Sequence, residues 1–177
     1  MAQTRADLGV HLTTLRPSDE AAVRKWLVDH LRVHNRAWVA AHGLGWTPAE
    51  TELQMLVSDL VEQHWSSVQR ASRRDDQFVA VTRLDDRLLG LVWAGRHNHA
   101  YLHVPVGVLN WVYVAPWARQ HGVGTVLIEA AKEWMRAREL KSVEVSVLAE
   151  NEPARRLYAR AGLAVADVRM MGPLGGS

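Results

Sequence analysis

Between two apolar runs the chain carries "RQHGVG" (119–124), two glycines one residue apart behind a basic start. The run before it, "LNWVYV", has the β-branched and aromatic content of a strand. The run after it, "TVLIEAAKEWM", has helical spacing. A glycine-bearing turn from strand to helix constrains the fold strongly, because it fixes how one element leads into the next. A helix start presents unpaired backbone N–H groups and the positive end of the helix dipole. Glycines there remove side chains, so a phosphate can approach the backbone itself. The turn therefore reads as a seat for an anion, a pyrophosphate above all. The competing reading is a pair of glycines that serve only the turn.

Two familiar phosphate motifs do not fit. A nucleotide P-loop ends in Gly-Lys-Ser/Thr, whereas Gly124 is followed by Thr125 and Val126. A dinucleotide fingerprint needs three glycines after an early strand and an acid about 20 residues on. Here there are two, late in the chain.

The flanking sequence places the turn within a series of elements. "VHLTTL" (10–15) alternates as a short strand, and "SDEAAVRKWLVDHLRVH" reads as a helix capped by Ser18, with Ala22, Trp26, Leu27 and Leu31 on one face. Gly43 and Gly45 favour a break after it. "TPAETELQMLVSDLVEQHWSSVQ" begins with Thr47 as cap, Pro48 in the first turn and Glu50 completing a capping box. Leu53, Leu56, Val57, Leu60 and Val68 form its expected apolar stripe. Residues 78–84 and 88–95 read as a hairpin around Asp85-Asp86, and 106–114 as another strand. After the glycine turn a helix runs to about residue 138, with Val123, Val126, Leu127, Ala130, Ala131 and Trp134 inward. Residues 142–148 alternate as a strand, "EPARRLYARAG" is a short helix ended by Gly162, and "AVADVRMM" is a last extended stretch. The expected order is strand, two helices, three strands, helix, strand, helix, strand. Such an order means an α/β (α+β) domain, a mixed and mostly antiparallel central sheet with helices on both faces.

Composition narrows the function classes. At 177 residues one domain is expected. Its first part, 1–75, supplies a strand and helices, and 76–177 carries the glycine turn. With no cysteine, disulfides, thiol nucleophiles and thiolate metal ligands are excluded. A formal charge of +2 with arginine spread along the chain gives no basic stripe, so nucleic acid is not an expected partner. No apolar stretch approaches the roughly 18 uncharged residues of a membrane span. "MAQTRADLGVHLTTL" lacks the apolar core of a secretory signal, so a cytoplasmic protein without membrane association is expected. Of the tryptophans, Trp26, Trp38 and Trp46 lie close together in sequence and are candidates to line a pocket.

A second motif follows the next strand: "NEPARRLYARAGL", with Asn151, Ala154 and Tyr158 at spacings that share a helix face. Together with Arg119-x-x-Gly122-x-Gly124 after a strand, the pattern Asn151, Ala154, Leu157, Tyr158, Gly162 resembles the GNAT N-acetyltransferase superfamily. The close match covers about 109–163, and the element order extends it loosely along the chain. The resemblance implies a GNAT-like acetyltransferase domain whose core, 76–177, binds acetyl-CoA as cosubstrate, with no metal. It implies that Arg119, Gln120, His121, Gly122, Val123, Gly124 and Thr125 hold the diphosphate. The backbone of Val112 and Val114 would pair with the pantetheine arm where two strands splay, and Asn151 and Ala154 would line that arm. Asn151 also has the position of an ordinary helix cap.

The activity implied is direct transfer of acetyl from acetyl-CoA to an amine. An alkylamine of pKa near 10.4 is unprotonated in only roughly one molecule in 2,500 at neutral pH, so the proton needs a destination. Tyr158 matches the family's tyrosine and is the expected acid for the departing thiolate. Its alternative is packing alone. The base is a departure, because many members place a glutamate on the strand before the phosphate loop, where this chain has Val108, Leu109 and Asn110. Glu144 on the next strand is a candidate, equally explained as a solvated or ion-paired residue, and a water relay is the preferred reading. His97, His99 and His103 lack the tight spacing and helper ligands of a zinc site and read as loop residues or the rim of an acceptor pocket. Only 15 residues follow Gly162, so the family's closing pair of strands must be short or partly missing.

Two other function classes stand beside the enzyme. One is a catalytically silent CoA-binding sensor or interaction module, favoured by the missing carboxylate and opposed by Tyr158. The other is a small nucleic-acid-binding domain, opposed by the even charge. The expected acceptor is a small-molecule amine or peptide amine, chosen by residues within about 26–53, and a homodimer is left open.

Overall fold

The computed structural model describes residues 10–174, so the reading of the chain's first residues as free of a leader lies partly outside it. Five strands form one sheet in the order β1-β2-β3-β4-β5. They are β1 Val10–Thr13, β2 Gln77–Leu84, β3 Arg87–Asn98, β4 Pro105–Val114 and β5 Val143–Glu144. All neighbours are antiparallel except β4 and β5, which run parallel. The helices are α1 Glu20–His42, α2 Pro48–Val57, α3 Leu60–Ala71, α4 Val123–Arg136 and α5 Glu152–Arg160. The fold is the expected α/β domain with a mixed sheet.

Both faces of the sheet are covered. Residues 79–83 of β2 are buried without a break, which a strand shows only when neither face meets water. Helix α1 covers one face, where Trp26 stacks on Tyr113 of β4 with ring centroids 5.1 Å apart. Such a stack contributes about 0.5–1.5 kcal/mol beyond the area it buries. Helix α4 covers the other, burying Val123, Leu127, Ile128, Ala131 and Met135. A fully buried leucine such as Leu127 is worth about 1.5–3 kcal/mol against exposure.

Several local expectations need correction. Ser18 does not cap α1. A 3-10 turn, Pro17–Asp19, precedes the helix and Asp19 takes the cap position. The Asp19 carboxylate serves other donors: it accepts from the Arg16 amide at 2.7 Å and pairs with the buried Arg83 guanidinium. Arg83 also donates to Thr13 Oγ1 at 3.0 Å, so one ion pair ties β1, β2 and the start of α1 together. The expected single helix from Thr47 is two, because Asp59 adopts the left-handed region (φ 49°) between α2 and α3. Its apolar stripe is not buried as a whole. Leu53, Leu56 and Val57 are exposed, and α2 buries Thr51 and Met55 instead. The Thr47 and Glu50 capping box forms as expected. In α4, Met135 and Ile128 lie inward where Val126 and Trp134 are only half-buried.

The C-terminal part departs most. The strand expected over 142–148 reduces to Val143–Glu144, and no strand follows α5 among the described residues. Alternation alone did not make a strand there, because ladder bonds also need the two backbones side by side, and residues 143–144 run beside β4 only as far as Val108.

Candidate functional site

The short β5 creates the central feature of the site. It pairs with β4 only at Gly107–Val143 and Val108–Glu144, after which the two chains part. The amide of Gly107 bonds across to Ser142, whereas that of Ala115 bonds back to Leu89 of β3. Odd-numbered residues thus face β5 at one end of β4 and β3 at the other. The switch is a β-bulge: Trp93 opposes Trp111 and Ala94 opposes Leu109, leaving Asn110 as the extra residue. Beyond the bulge the backbone groups of Val112 and Val114 therefore face the open edge, the geometry a peptide-like arm would pair with.

At the end of β4 a 3-10 turn, Pro116–Ala118, leads into the glycine turn. Gly122 has φ +79°, a left-handed conformation that a side chain would strain, and open space lies where its Cβ would point. The first bond of α4 runs from Val126 N to Gly122 O, so the amides of Val123, Gly124 and Thr125 precede the helix's own pairing. No side chain caps this end and no acidic residue occupies its first turn. Arg119, Gln120, His121 and Thr125 are exposed around it, and Arg119 is held along the strand end by its Nε donating to Val114 O at 3.2 Å. The donor set suits a diphosphate.

The two glycines do different work. A Cβ on Gly124 would come within 2.8 Å of Leu157 Cδ2, so this glycine lets α5 pack against the start of α4. That contact joins the two sequence motifs in space. On α5, Ala154, Leu157, Tyr158 and Ala161 form the packed face. Asn151 caps the helix through Oδ1, which accepts from the Ala154 amide at 3.2 Å. Its side-chain N–H groups are not consumed by that bond. Burial pushes the Tyr158 hydroxyl up to about 12, so the phenol keeps its proton throughout the neutral and mildly alkaline range.

Glu144 is engaged by His97, whose Nε2 lies 2.7 Å from Oε1, with both side chains partly exposed. His99 closes its own loop, its Nδ1 accepting from the amides of Tyr101 and Leu102. No cluster suited to a metal ion occurs among the described residues. The three N-terminal tryptophans do not gather. Trp26 is buried against Tyr113, Trp38 stacks with His42, and Trp46 is exposed in the loop after α1.

Sequence reading missed a polar and aromatic group on the α1 face of β4. His30 lies with its ring centroid 5.7 Å from that of Trp111 and 4.0 Å from that of His34. Burial, then the nearby His34 and His64, bring His30 down to about 4, so it is neutral at physiological pH. Tyr113 OH approaches Asp29 Oδ2 at 3.5 Å, and burial followed by that carboxylate raises the phenol above its ordinary value. The available signal was Trp111 and Tyr113 alternating on one strand face, with His30 and His34 one helical turn apart.

Known proteins resemble this arrangement along most of the chain. The sequence pattern of the Acetyltransferase (GNAT) family matches residues 38–163. An uncharacterized N-acetyltransferase of Azospirillum brasilense is 30% identical over 129 residues, covering 69% of this chain and 70% of that protein. A mycothiol acetyltransferase of Mycobacteroides abscessus is 30% identical over 163 residues, which is 88% of this chain but 49% of that protein. The chain thus spans about half the length of that relative. Among solved structures, the paia N-acetyltransferase of Thermoplasma acidophilum in complex with coenzyme A aligns with a TM-score of 0.65 at 15% identity, covering 90% of this chain and 92% of that one. AAC(6')-Iy in complex with the bisubstrate analog CoA-S-monomethyl-acetylneamine aligns with a TM-score of 0.61 at 16% identity, covering 92% and 95%. At these identities the two structures speak for the fold alone.

Proposed function

The chain belongs to the GNAT acetyltransferase family, and we propose that it transfers an acetyl group from acetyl-CoA to a primary amine by direct attack. One observation carries this reading: the unpaired amide start of α4 adjoins the end of the strand whose outer edge is open. An anion and a peptide-like arm would be held on a single path. In this reading Arg119, Gln120, His121 and the amides of Gly122, Val123, Gly124 and Thr125 take the diphosphate. Val112 and Val114 pair with the pantetheine amides, and Asn151 and Ala154 flank the arm.

The thioester then lies where β4 and β5 part. The amine nitrogen forms a bond to the acyl carbon, the carbon–sulfur bond breaks, and Tyr158 supplies the proton that the sulfur takes up. The amine's own proton leaves through water, and water returns a proton to Tyr158, so the net change is one N–H exchanged for one S–H. Val108, Leu109 and Asn110 offer no carboxylate, and Glu144 already faces His97. The sequence relatives that are mycothiol acetyltransferases support a small-molecule acceptor, taken here to be an amine. A peptide amine is the second candidate. The test is turnover: the purified chain with acetyl-CoA and a panel of amino sugars, amino-acid amides and alkylamines, followed by free thiol release and product mass. Tight CoA binding without acetyl transfer to any amine would leave the silent CoA-binding module in its place.

A further inference from the structure

Where β4 and β5 part, a histidine and a carboxylate lie side by side on one face of the sheet. His97 of β3 is the register partner of Val106 on β4, and Glu144 of β5 is that of Val108. Register partners point their side chains to the same face, and so do residues two apart along a strand. His97, Val106, Val108 and Glu144 therefore share a face. A Cβ on Gly107, between the two valines, would meet Met135 of α4, so the shared face is the one turned away from α4. Val108–Glu144 is also the last pair of the β4–β5 ladder before the splay.

His97 Nε2 lies 2.7 Å from Glu144 Oε1, and the two side chains are 43% and 44% exposed, so water reaches both. An ionised carboxylate only accepts, so Nε2 carries the proton and the neutral ring keeps its lone pair on Nδ1. Nδ1 has no hydrogen-bond partner among the described residues. Glu144 is the one charged group bonded to this ring there. Val106, Val108 and, on β2, Gln77 share the face and are neutral, and His99 turns its Nδ1 to the amides of its own loop.

We propose, resting on the acetyltransferase reading above, that His97 ends the water path that takes the amine's proton, and that Glu144 fixes its tautomer. As the amine nitrogen bonds to the acyl carbon, an N–H proton passes through water to Nδ1. The imidazolium so formed is paired with the Glu144 carboxylate. The carbon–sulfur bond breaks and the sulfur takes the Tyr158 proton. Water then carries the proton from Nδ1 to the Tyr158 oxygen, so ring and phenol end as they began and one N–H has become one S–H. Imidazole suits this task because its charge changes within the neutral range, whereas a carboxylate paired with a cation stays ionised there. Glu144 acts through His97 and is a positioning residue.

The test uses the full chain with acetyl-CoA and two acceptors, glycinamide and butylamine, with kcat followed from about pH 5.5 to 9.5. A proton acceptor works in its deprotonated form, so kcat rises with pH through the imidazole's titration. The expected midpoint is the same for both acceptors, although an α-amine titrates at about 7.7–8.0 and an alkylamine at roughly 10.4. His97→Gln can still donate to Glu144 but has no titrating nitrogen. Its kcat should fall about 100-fold and lose that limb, with CoA affinity by calorimetry unchanged. His97→Ala should fall as far and regain part of its rate with added imidazole, which the exposed position admits. Glu144→Gln, whose amide oxygen still accepts from Nε2–H, should stay within about tenfold. A merely structural histidine would leave the limb in place and give no rescue. A midpoint that follows the acceptor's own pKa, or wild-type kcat and pH profile in His97→Gln, overturns the assignment. Protein that binds acetyl-CoA but acetylates neither these acceptors nor any amino sugar would instead overturn the acetyltransferase reading on which it rests.

Discussion

Helix α4 turns its apolar residues inward, with Val123, Leu127, Ile128, Ala131 and Met135 buried against the sheet. Helix α2, which also has a well-formed start, turns Leu53, Leu56 and Val57 to the outside and buries a threonine and a methionine. The difference extends to the two parts of the molecule. The part holding α4 and α5 is organised around one backbone feature, the open edge of β4 meeting an unpaired helix start. The part holding α1 to α3 is fastened by side chains that come from far apart, such as Asp19 with Arg83 and Trp26 with Tyr113. A backbone-built site tolerates surface change and fails at a few points. A side-chain-built one depends on each of its partners.

That contrast can be broken first at Tyr158. Phenylalanine keeps the ring in its packed position and removes the proton, so turnover should fall about 10²–10⁴-fold while acetyl-CoA affinity holds. Because the hydroxyl is pushed up to about 12, the wild-type rate should show no falling limb with a midpoint near 10. Wild-type turnover in the variant would reduce Tyr158 to packing.

In the α1 part, Asp19→Ala leaves the Arg83 guanidinium buried without its carboxylate. Urea unfolding should report a loss of about 3–5 kcal/mol, the range for breaking one side of a buried pair. A loss below about 1 kcal/mol would show that backbone packing, and not the ion pair, fastens this part.

The proposed diphosphate seat should be open to disabling without harm to the fold. Thr125→Glu puts a carboxylate in the first turn of α4, where the helix dipole gains about 0.3–1 kcal/mol from it. The same charge opposes a diphosphate, so CoA affinity should drop about 100-fold or more, given that like charges brought together cost several kcal/mol. Unchanged affinity in the folded variant would move the diphosphate elsewhere.

The smallest effect is expected at Glu144. With the proton leaving through water, Glu144→Gln should keep turnover within about tenfold, since lost general bases usually cost more. A thousandfold loss with binding and stability intact would make Glu144 the base and give the α1 side of the splay its own catalytic group.

The glycine turn, the Thr47 capping box and the hairpin around Asp85-Asp86 were legible from the chain because each is decided within a few residues. A cap accepts from the amide three positions on, and a left-handed glycine needs no distant partner. The short helix that carries Asn151 and Tyr158, with Asn151 as its cap, was legible for a related reason, since cap and spacing are both local. Tertiary structure alone decided that Gly124 makes way for Leu157, that residues 145–148 leave the sheet, and that Leu53, Leu56 and Val57 face outward. It also decided that Asp19 meets Arg83 and that His30 lies against Trp111, pairs 64 and 81 residues apart in the chain. Apolar periodicity states that a face is apolar, and alternation that a segment can be a strand. Which surface covers that face, and whether a neighbouring edge is free to pair, depend on burial and hydrogen bonding between distant segments, which no local pattern encodes.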